Sequence, residues 1–212
     1  AKTMSLDFIL ITHHHSDHID GINYLKSKYA PKIIGAKRDK HRLPPLDIEV
    51  EEGSELSIGS KTFKIYDVDG HTVGHIAYSL LDDKALFTGD SLMVMGCGRL
   101  FEGTPKDMWE SLKKLKQLPE DTMIYSGHEY TKSNIEFALT VDPQNKKLEA
   151  RKIKELARLE KGTPTVPSTL REELDTNPFL RESEPSIVNY LDIADLEPNS
   201  RFAKIRTLKD NF

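Results

Sequence analysis

The chain has 212 residues, a net charge of −4 and 37% hydrophobic residues, enough for one large domain or one domain with a smaller companion. Its apolar runs are too short for a membrane-spanning helix, and its mild acidity gives no reason to expect nucleic acid as a partner. Cys97, the single cysteine, rules out an intrachain disulfide and suits a reducing compartment.

In chain order, an apolar run over residues 6–11 reads as a buried strand ending in the polar cluster "THHHSDH". This run lies almost at the start of the chain, and nothing near Ala1 resembles a signal peptide. The native N-terminus is therefore expected upstream, with any targeting segment. A cytoplasmic location is expected, and a mitochondrial one stays open. "GINYLKSKY" has helical spacing. "KIIGA", "ELSIG", "KTFKIYDV", "HIAYSLL" and "KALFTGD" read as strands between turns, the last two joined as a hairpin through Asp82 and Asp83. "GTPKDMWESLKKLKQLP" reads as a helix with Thr104 as N-cap, Pro105 at the first position and Asp107 completing a capping box. "DTMIYSG" is a further strand.

From about residue 129 the strand signals fade. "DPQNKKLEARKIKELARLEKG" predicts a long helix capped by Asp142, with Pro143 at its first position and Leu148, Ile153, Leu156 and Leu159 on its apolar stripe. A proline-rich crossing and shorter helices over "STLREEL", "PSIVNYL" and "SRFAKIRTL" follow. The expected organisation is a sheet-based α+β domain over 1–128 and a helical domain over 129–212 packed on it.

The histidines carry the chemistry. His13 and His15 are two apart after a strand, so in extended backbone they point to one side. His14 faces away. Asp17 and His18 follow as the chain turns toward a helix. Far downstream, His71 in "DGHTVGH", Asp90 in "LFTGDSL" and His128 in "IYSGHEY" each stand where a strand runs out into a glycine-containing turn. Five imidazoles and two carboxylates are too many for one tetrahedral ion and suit two divalent ions sharing a carboxylate. The expected ligands are His13, His15 and His71 for one ion and Asp17, His18 and His128 for the other, with Asp90 bridging. Without a thiolate, zinc, iron and manganese are all compatible, and zinc is expected. Two such ions can hold a hydroxide at neutral pH and polarise a carbonyl, and Asp17 can orient that hydroxide or accept a proton. His75 is expected in a supporting role, His41 in an ordinary loop, and Cys97 in packing.

"THHHSDH", "GHTVGH", "FTGD" and "SGHEYT", in this order, resemble the metallo-β-lactamase superfamily, which implies an αββα sandwich. "GCGRLFEGT", "PTVPSTLREE", "NPFLR" and "IRTLKDNF" narrow the resemblance to hydroxyacylglutathione hydrolase, or glyoxalase II. That resemblance implies hydrolysis of the thioester S-D-lactoylglutathione to D-lactate and glutathione, a step in methylglyoxal detoxification. The ligand set above falls on the family's metal positions. The resemblance also implies a glutathione pocket of Arg99, Phe101, Tyr130, Arg206 and Lys209, with a lesser contribution from Asn134. Members often carry lysine and tyrosine where this chain has Arg99 and Phe101, which keeps a charge and loses a hydroxyl. Relatives also carry strands ahead of the equivalent of Leu6. If these are missing, one sheet is left with an uncovered edge or inner face. The alternatives are a persulfide dioxygenase-like protein with one iron, or a metal-binding remnant without turnover. A monomer acting on a small-molecule thioester is expected.

Overall fold

A computed structural model describes residues 5–212; the first residues, near Ala1, lie outside it. The elements in chain order are β1 (Phe8–Leu10), α1 (Ser16–Ile19), α2 (Ile22–Tyr29), β2 (Lys32–Ala36), β3 (Ile48–Val50), β4 (Glu55–Ile58), β5 (Lys61–Asp67), β6 (Ile76–Leu80) and β7 (Ala85–Gly89). There follow β8 (Leu92–Met93), β9 (Gly96–Cys97), α3 (Pro105–Leu115), β10 (Met123–Ser126), α4 (Thr131–Val141) and α5 (Lys146–Glu160). The last are β11 (Ser168–Thr169), α6 (Leu170–Thr176), α7 (Pro185–Tyr190) and α8 (Pro198–Asp210).

Two sheets face each other. The first is parallel, in the order β1-β2-β3; the second runs β11-β10-β7-β6-β5-β4. Successive strand residues point to opposite faces, so each strand feeds two cores. Ile34 and Ala36 of β2 meet Ile65, Ile76 and Tyr78 of the second sheet in the central core. Ile33 points the other way, to Ile22 of α2. From the second sheet, Tyr66, Ala77, Leu86 and Ile124 turn outward onto α3 and the helical region, where Met108 and Leu112 meet Phe137, Phe179, Phe202 and Ile205. The layers are therefore helix, sheet, sheet, helix, as the resemblance to the metallo-β-lactamase superfamily implies. One continuous core joins the helical region to the second sheet, and that region also supplies the edge strand β11, antiparallel to β10.

The first sheet is the narrower. Beyond β1 the inner face of the second sheet is uncovered among the described residues and forms an open groove of about 600 Å³ lined by Leu10, Phe63, Tyr78, Leu80, Phe87 and Tyr125. No described helix is long and apolar enough to cross a membrane.

The helix over "PKDMWESLKKL" forms with the expected capping box: Thr104 accepts from the Asp107 N–H, and Asp107 from the Thr104 N–H. The cap of α5 differs from expectation. Asn145, not Asp142, accepts the N–H groups of Lys147 and Leu148, and the helix starts at Lys146. Asp142 ends α4 instead, buried against Asn145 and Arg181. The stripe differs too. Ile153 is 72% exposed, whereas Leu148, Arg151 and Glu155 are buried. A charge pair inside the helical region turns α5 to face inward with polar residues. Helix α4 has no counterpart in the sequence reading, because Ile135 and Ala138 enter one core while Phe137 and Val141 enter another, leaving no single stripe. The short strands β3, β8 and β9 are likewise too brief for a periodic signal.

Candidate metal centre

Each functional side chain leaves the end of a strand. After β1, Ile11 still bonds Ile34 O (2.8 Å), and Thr12 O receives the Ile76 N–H (2.9 Å), so the backbone is fixed where His13 departs. The short helix α1 begins after His15 and lifts Asp17 and His18 onto the same side. His71 lies in the loop from β5 to β6. Asp90 follows β7, where Gly89 has φ +50 and a Cβ would stand 2.7 Å from Thr12 Oγ1 and 2.9 Å from His75 Cε1. Only glycine fits there without displacing both strand ends. His128 follows β10, and the Gly127 N–H between them bonds Gly89 O (2.8 Å) and holds the two strand ends side by side.

These side chains converge. His71 Nε2 is 3.0 Å from His15 Nδ1, and His13, His15 and His71 form one group whose ligand atoms lie within 4.8 Å of one another. Asp17, His18 and His128 form another such group, with His128 Nε2 3.1 Å from Asp17 Oδ2. Asp90 lies between them: Oδ2 is 3.5 Å from His71 Nε2 and 3.2 Å from His128 Nε2, and Oδ1 is 3.4 Å from His18 Nε2.

The electrostatics prepare the cluster for a cation. Burial, then the neighbouring imidazoles, pushes His13 far below its ordinary pKa, and burial does the same more mildly for His15 and His71. These rings are neutral at pH 7, with lone pairs to offer. The Asp90 carboxylate beside it raises His18. Burial pushes the Asp90 carboxyl up, but His18, His128 and His71 outweigh it and hold it low, so it is anionic. His71 Nδ1 donates to Arg99 O (2.7 Å), which leaves Nε2 as the lone-pair nitrogen facing the cluster. His13 Nε2 is buried with no hydrogen-bond partner among the described residues, and so is Asp90 Oδ1. Buried polar atoms are rarely orphaned. Orphans at the focus of neutral imidazoles and carboxylates fit divalent ions.

Supporting residues surround the ligands. His75 is fully buried, held at a pKa of about 3 by burial; its Nε2 accepts the Asp90 N–H (3.1 Å) and its ring stacks on His13. His14 points away from the cluster. Its Nδ1 meets Asp39 Oδ2 (3.1 Å) and its Nε2 meets Glu102 Oε1 (3.4 Å). Arg42 closes the ring on Asp39 and Glu102, and Glu102 also accepts the Val73 N–H (2.8 Å). This ring ties together the loops bearing His13, His71 and Phe101. Nothing in the sequence marked Asp39, Arg42 or Glu102, which look like ordinary loop charges. His41 is exposed and outside the cluster.

The cluster forms one wall of an open cavity of about 570 Å³, and Arg99, Phe101, Tyr130, Asn134, Arg206 and Lys209 line the rest. Phe101, 62% exposed, sets its ring edge-to-face against His15 and His71, and Tyr130 stacks on His128. Lys209 Nζ donates to Ser133 O (3.0 Å), and burial lowers its pKa. Arg206 is no solvated helix residue: it is 4% exposed, donates to Cys97 O (3.1 Å) and pairs with Asp210 (2.9 Å). Asn134 is buried and donates to Val94 O (2.9 Å). Cys97 is buried, and burial pushes its thiol up, away from the nucleophilic thiolate.

Comparison with known proteins fits this geometry. The Metallo-beta-lactamase superfamily profile matches residues 4–128, and the profile described as Hydroxyacylglutathione hydrolase C-terminus matches residues 129–212. A protein of Ruegeria pomeroyi named Hydroxyacylglutathione hydrolase is 54% identical over 98% of this chain and 82% of its own length. One of the same name from Methylococcus capsulatus is 44% identical over 100% of this chain and 83% of its own. The chain belongs to the hydroxyacylglutathione hydrolase family. That membership, with the His/Asp groups on the cluster side of the cavity as candidate ligands, supports divalent-metal binding. Among solved structures, ETHE1 from Myxococcus xanthus has a TM-score of 0.60 at 24% identity, covering 96% of this chain and 76% of that one. The BLEG-1 B3 metallo-beta-lactamase has a TM-score of 0.60 at 23% identity, covering 82% and 76%. At such identities these two likenesses speak for the fold alone.

Proposed function

We propose that the chain hydrolyses S-D-lactoylglutathione, and S-(2-hydroxyacyl)glutathione thioesters generally, to the 2-hydroxy acid and glutathione. Family membership supports a hydrolase with a glutathione-derived substrate. The observation that carries the finer reading is that five of the seven candidate ligands, His15, Asp17, His71, Asp90 and His128, line one cavity with the pocket cations, and His13 and His18 group with them. In this reading residues 1–128 carry the candidate metal ligands together with Arg99 and Phe101, and residues 129–212 add Tyr130, Arg206 and Lys209 to the recognition surface.

His13, His15 and His71 would hold one ion, Asp17, His18 and His128 a second, with Asp90 between. Such a pair, when bound, supplies a water acidified to near neutrality and an electrophilic contact for a carbonyl. Zinc suits these donors, as do iron and manganese. The rest falls to the chain. Arg99, Arg206 and Lys209 present cations to the carboxylates of the glutathione moiety, where charge-assisted hydrogen bonds are strongest. Phe101 and Tyr130 wall the thioester between them and the imidazoles. Asp17 is exposed to the cavity, and its carboxylate, whose Oδ2 faces His128 Nε2, would accept a hydrogen bond from the attacking water and orient it. The leaving thiolate is stable at neutral pH, so no general acid is required.

Hydrolysis of S-D-lactoylglutathione, followed as loss of thioester absorbance, should be abolished by a chelator and restored by zinc. A simple alkyl thioester without the glutathione carboxylates should be a poor substrate. Oxygen uptake with glutathione persulfide, or no thioester turnover by folded, metal-replete protein, would refute the proposal.

A further inference from the structure

The motifs "PTVPSTLREE" and "NPFLR" belong to none of the functions assigned above. In the structure they lie directly behind the hairpin of β8 and β9. This hairpin starts two residues after Asp90 and leads straight into Gly98, Arg99 and Phe101. We propose that Glu173 and Asn177 are positioning residues that hold this hairpin, and through it the loop presenting Arg99 and Phe101 to the substrate. The proposal rests on the reading that this loop binds the glutathione moiety.

The hairpin cannot hold itself. Each strand has two residues, and only Leu92 with Cys97 and Met93 with Gly96 are paired. At its turn Met95 has φ +52, in the left-handed region that a side chain with a Cβ seldom adopts. Such a conformation persists only where its surroundings over-determine it. Here the surroundings are the helical region. Glu173 is 0% exposed and all its acceptor capacity is used. Oε2 takes the Met95 N–H (2.7 Å) and Asn177 Nδ2 (3.0 Å). Oε1 takes Ser168 Oγ (2.6 Å) and Arg151 Nη2 (2.7 Å). Asn177, also 0% exposed, donates to Gly96 O (2.9 Å) and Met93 O (3.2 Å), while its own oxygen accepts the Phe179 N–H (3.0 Å). Both carbonyls flanking the turn and the amide within it are thus bonded to one buried network.

A network of this kind is a poor way to gain stability, since desolvating two charges offsets most of their attraction. What it supplies is direction. Apolar packing alone would let the turn slide, whereas satisfied polar groups fix one arrangement. The inward-facing Arg151 of α5 finds its purpose here: it neutralises Glu173 and bonds Glu172 O (2.9 Å) and Thr176 Oγ1 (2.6 Å), locking α5 to α6.

The test compares two sides of one carboxylate in the metal-loaded full chain, with S-D-lactoylglutathione. Asn177→Ala disturbs the hairpin side, and Glu173→Gln disturbs it together with the Arg151 pair; Ser168→Ala disturbs only the far side. The hairpin-side variants should raise KM by about tenfold at parental metal content, with kcat changed less than about threefold. Ser168→Ala should lower Tm yet leave KM within about twofold. An unchanged KM in Asn177→Ala, or a KM that simply follows Tm across all three, would overturn the assignment. Amide exchange in the unaltered protein gives an arm free of mutation and of substrate. The Met95 N–H should exchange only with global unfolding; rapid local exchange there would overturn the assignment even if the thioester proved to be the wrong substrate.

Discussion

On one side of the cavity stand seven side chains delivered by backbone alone, each in the turn that follows a strand end or on the short helix α1. On the other stand Arg206 and Lys209 of α8 and the loop of Arg99 and Phe101, reached through a hairpin that the helical region has to hold. The first wall is made of residues whose chemistry is particular and whose placement follows from strand geometry. The second is made of common cations and aromatics, set in place by buried hydrogen bonds between segments about eighty residues apart in the chain. A metal centre of this kind can survive much change in its surroundings, whereas a recognition wall so built depends on contacts remote from the substrate.

The comparison can be broken most severely at Asp90. Asp90→Ala removes the group between both ligand triads, so metal content and turnover should fall together, the latter on the order of 1000-fold, or about 4 kcal/mol. Full turnover with an empty site, by metal analysis beside the thioester assay, would contradict the mechanism. A subtler change on the same wall is Asp39→Asn. It weakens the ring of His14, Arg42 and Glu102 without touching a ligand, and metal affinity measured by competition with a chelator should fall about tenfold.

The second wall should respond unevenly. Arg206→Ala leaves the Cys97 carbonyl without its donor and empties the space over the Phe179 ring, so stability should drop by about 2 kcal/mol along with a rise in KM. Arg99 is exposed, and Arg99→Ala should raise KM with Tm unchanged. Equal Tm values for the two variants would erase the distinction drawn between them.

The smallest effect concerns pH. Burial pushes Glu172 up, but Lys154, the Thr169 N–H and Arg151 outweigh it and hold its carboxyl at about 2, against an ordinary 4.5. Because the folded value is the lower one, the contribution is complete above pH 4.5 and is lost as pH falls from there toward 2. Acid unfolding monitored between these values should be less steep in Glu172→Gln.

The first wall was nearly legible in the sequence. Histidines two apart after an apolar run, and lone His or Asp residues at other strand ends, carry their geometry with them. The layered fold was legible for the same reason: residues such as Ile33 and Ile34, or Ile65 and Tyr66, alternate between cores. The second wall could be read only through resemblance, because Arg206 and Lys209 follow no pattern that separates them from a solvated helix face. Where local rules failed, long-range polar contacts had intervened. Asp142 was drawn to Arg181 and left the cap of α5 to Asn145. Arg151 and Glu155 took the inward face that Ile153 was expected to share. Asp39, Glu102 and Glu173 gave no signal, since a buried carboxylate and an exposed one look alike until their partners are known.

Beside the bond from the Phe101 N–H to His71 O, the two walls are joined by a hydrogen bond from His71 Nδ1 to the carbonyl of Arg99. One partner is a candidate ligand and the other is the backbone from which the Arg99 side chain departs. Whatever restricts the imidazole also restricts that peptide unit, and free-energy linkage requires the influence to run equally in both directions. Cation binding and thiol recognition thus share one coupling free energy. Free glutathione, a product that need not touch an ion, should bind the loaded protein more tightly than the stripped one, and by the same factor its presence should tighten the grip on the ion.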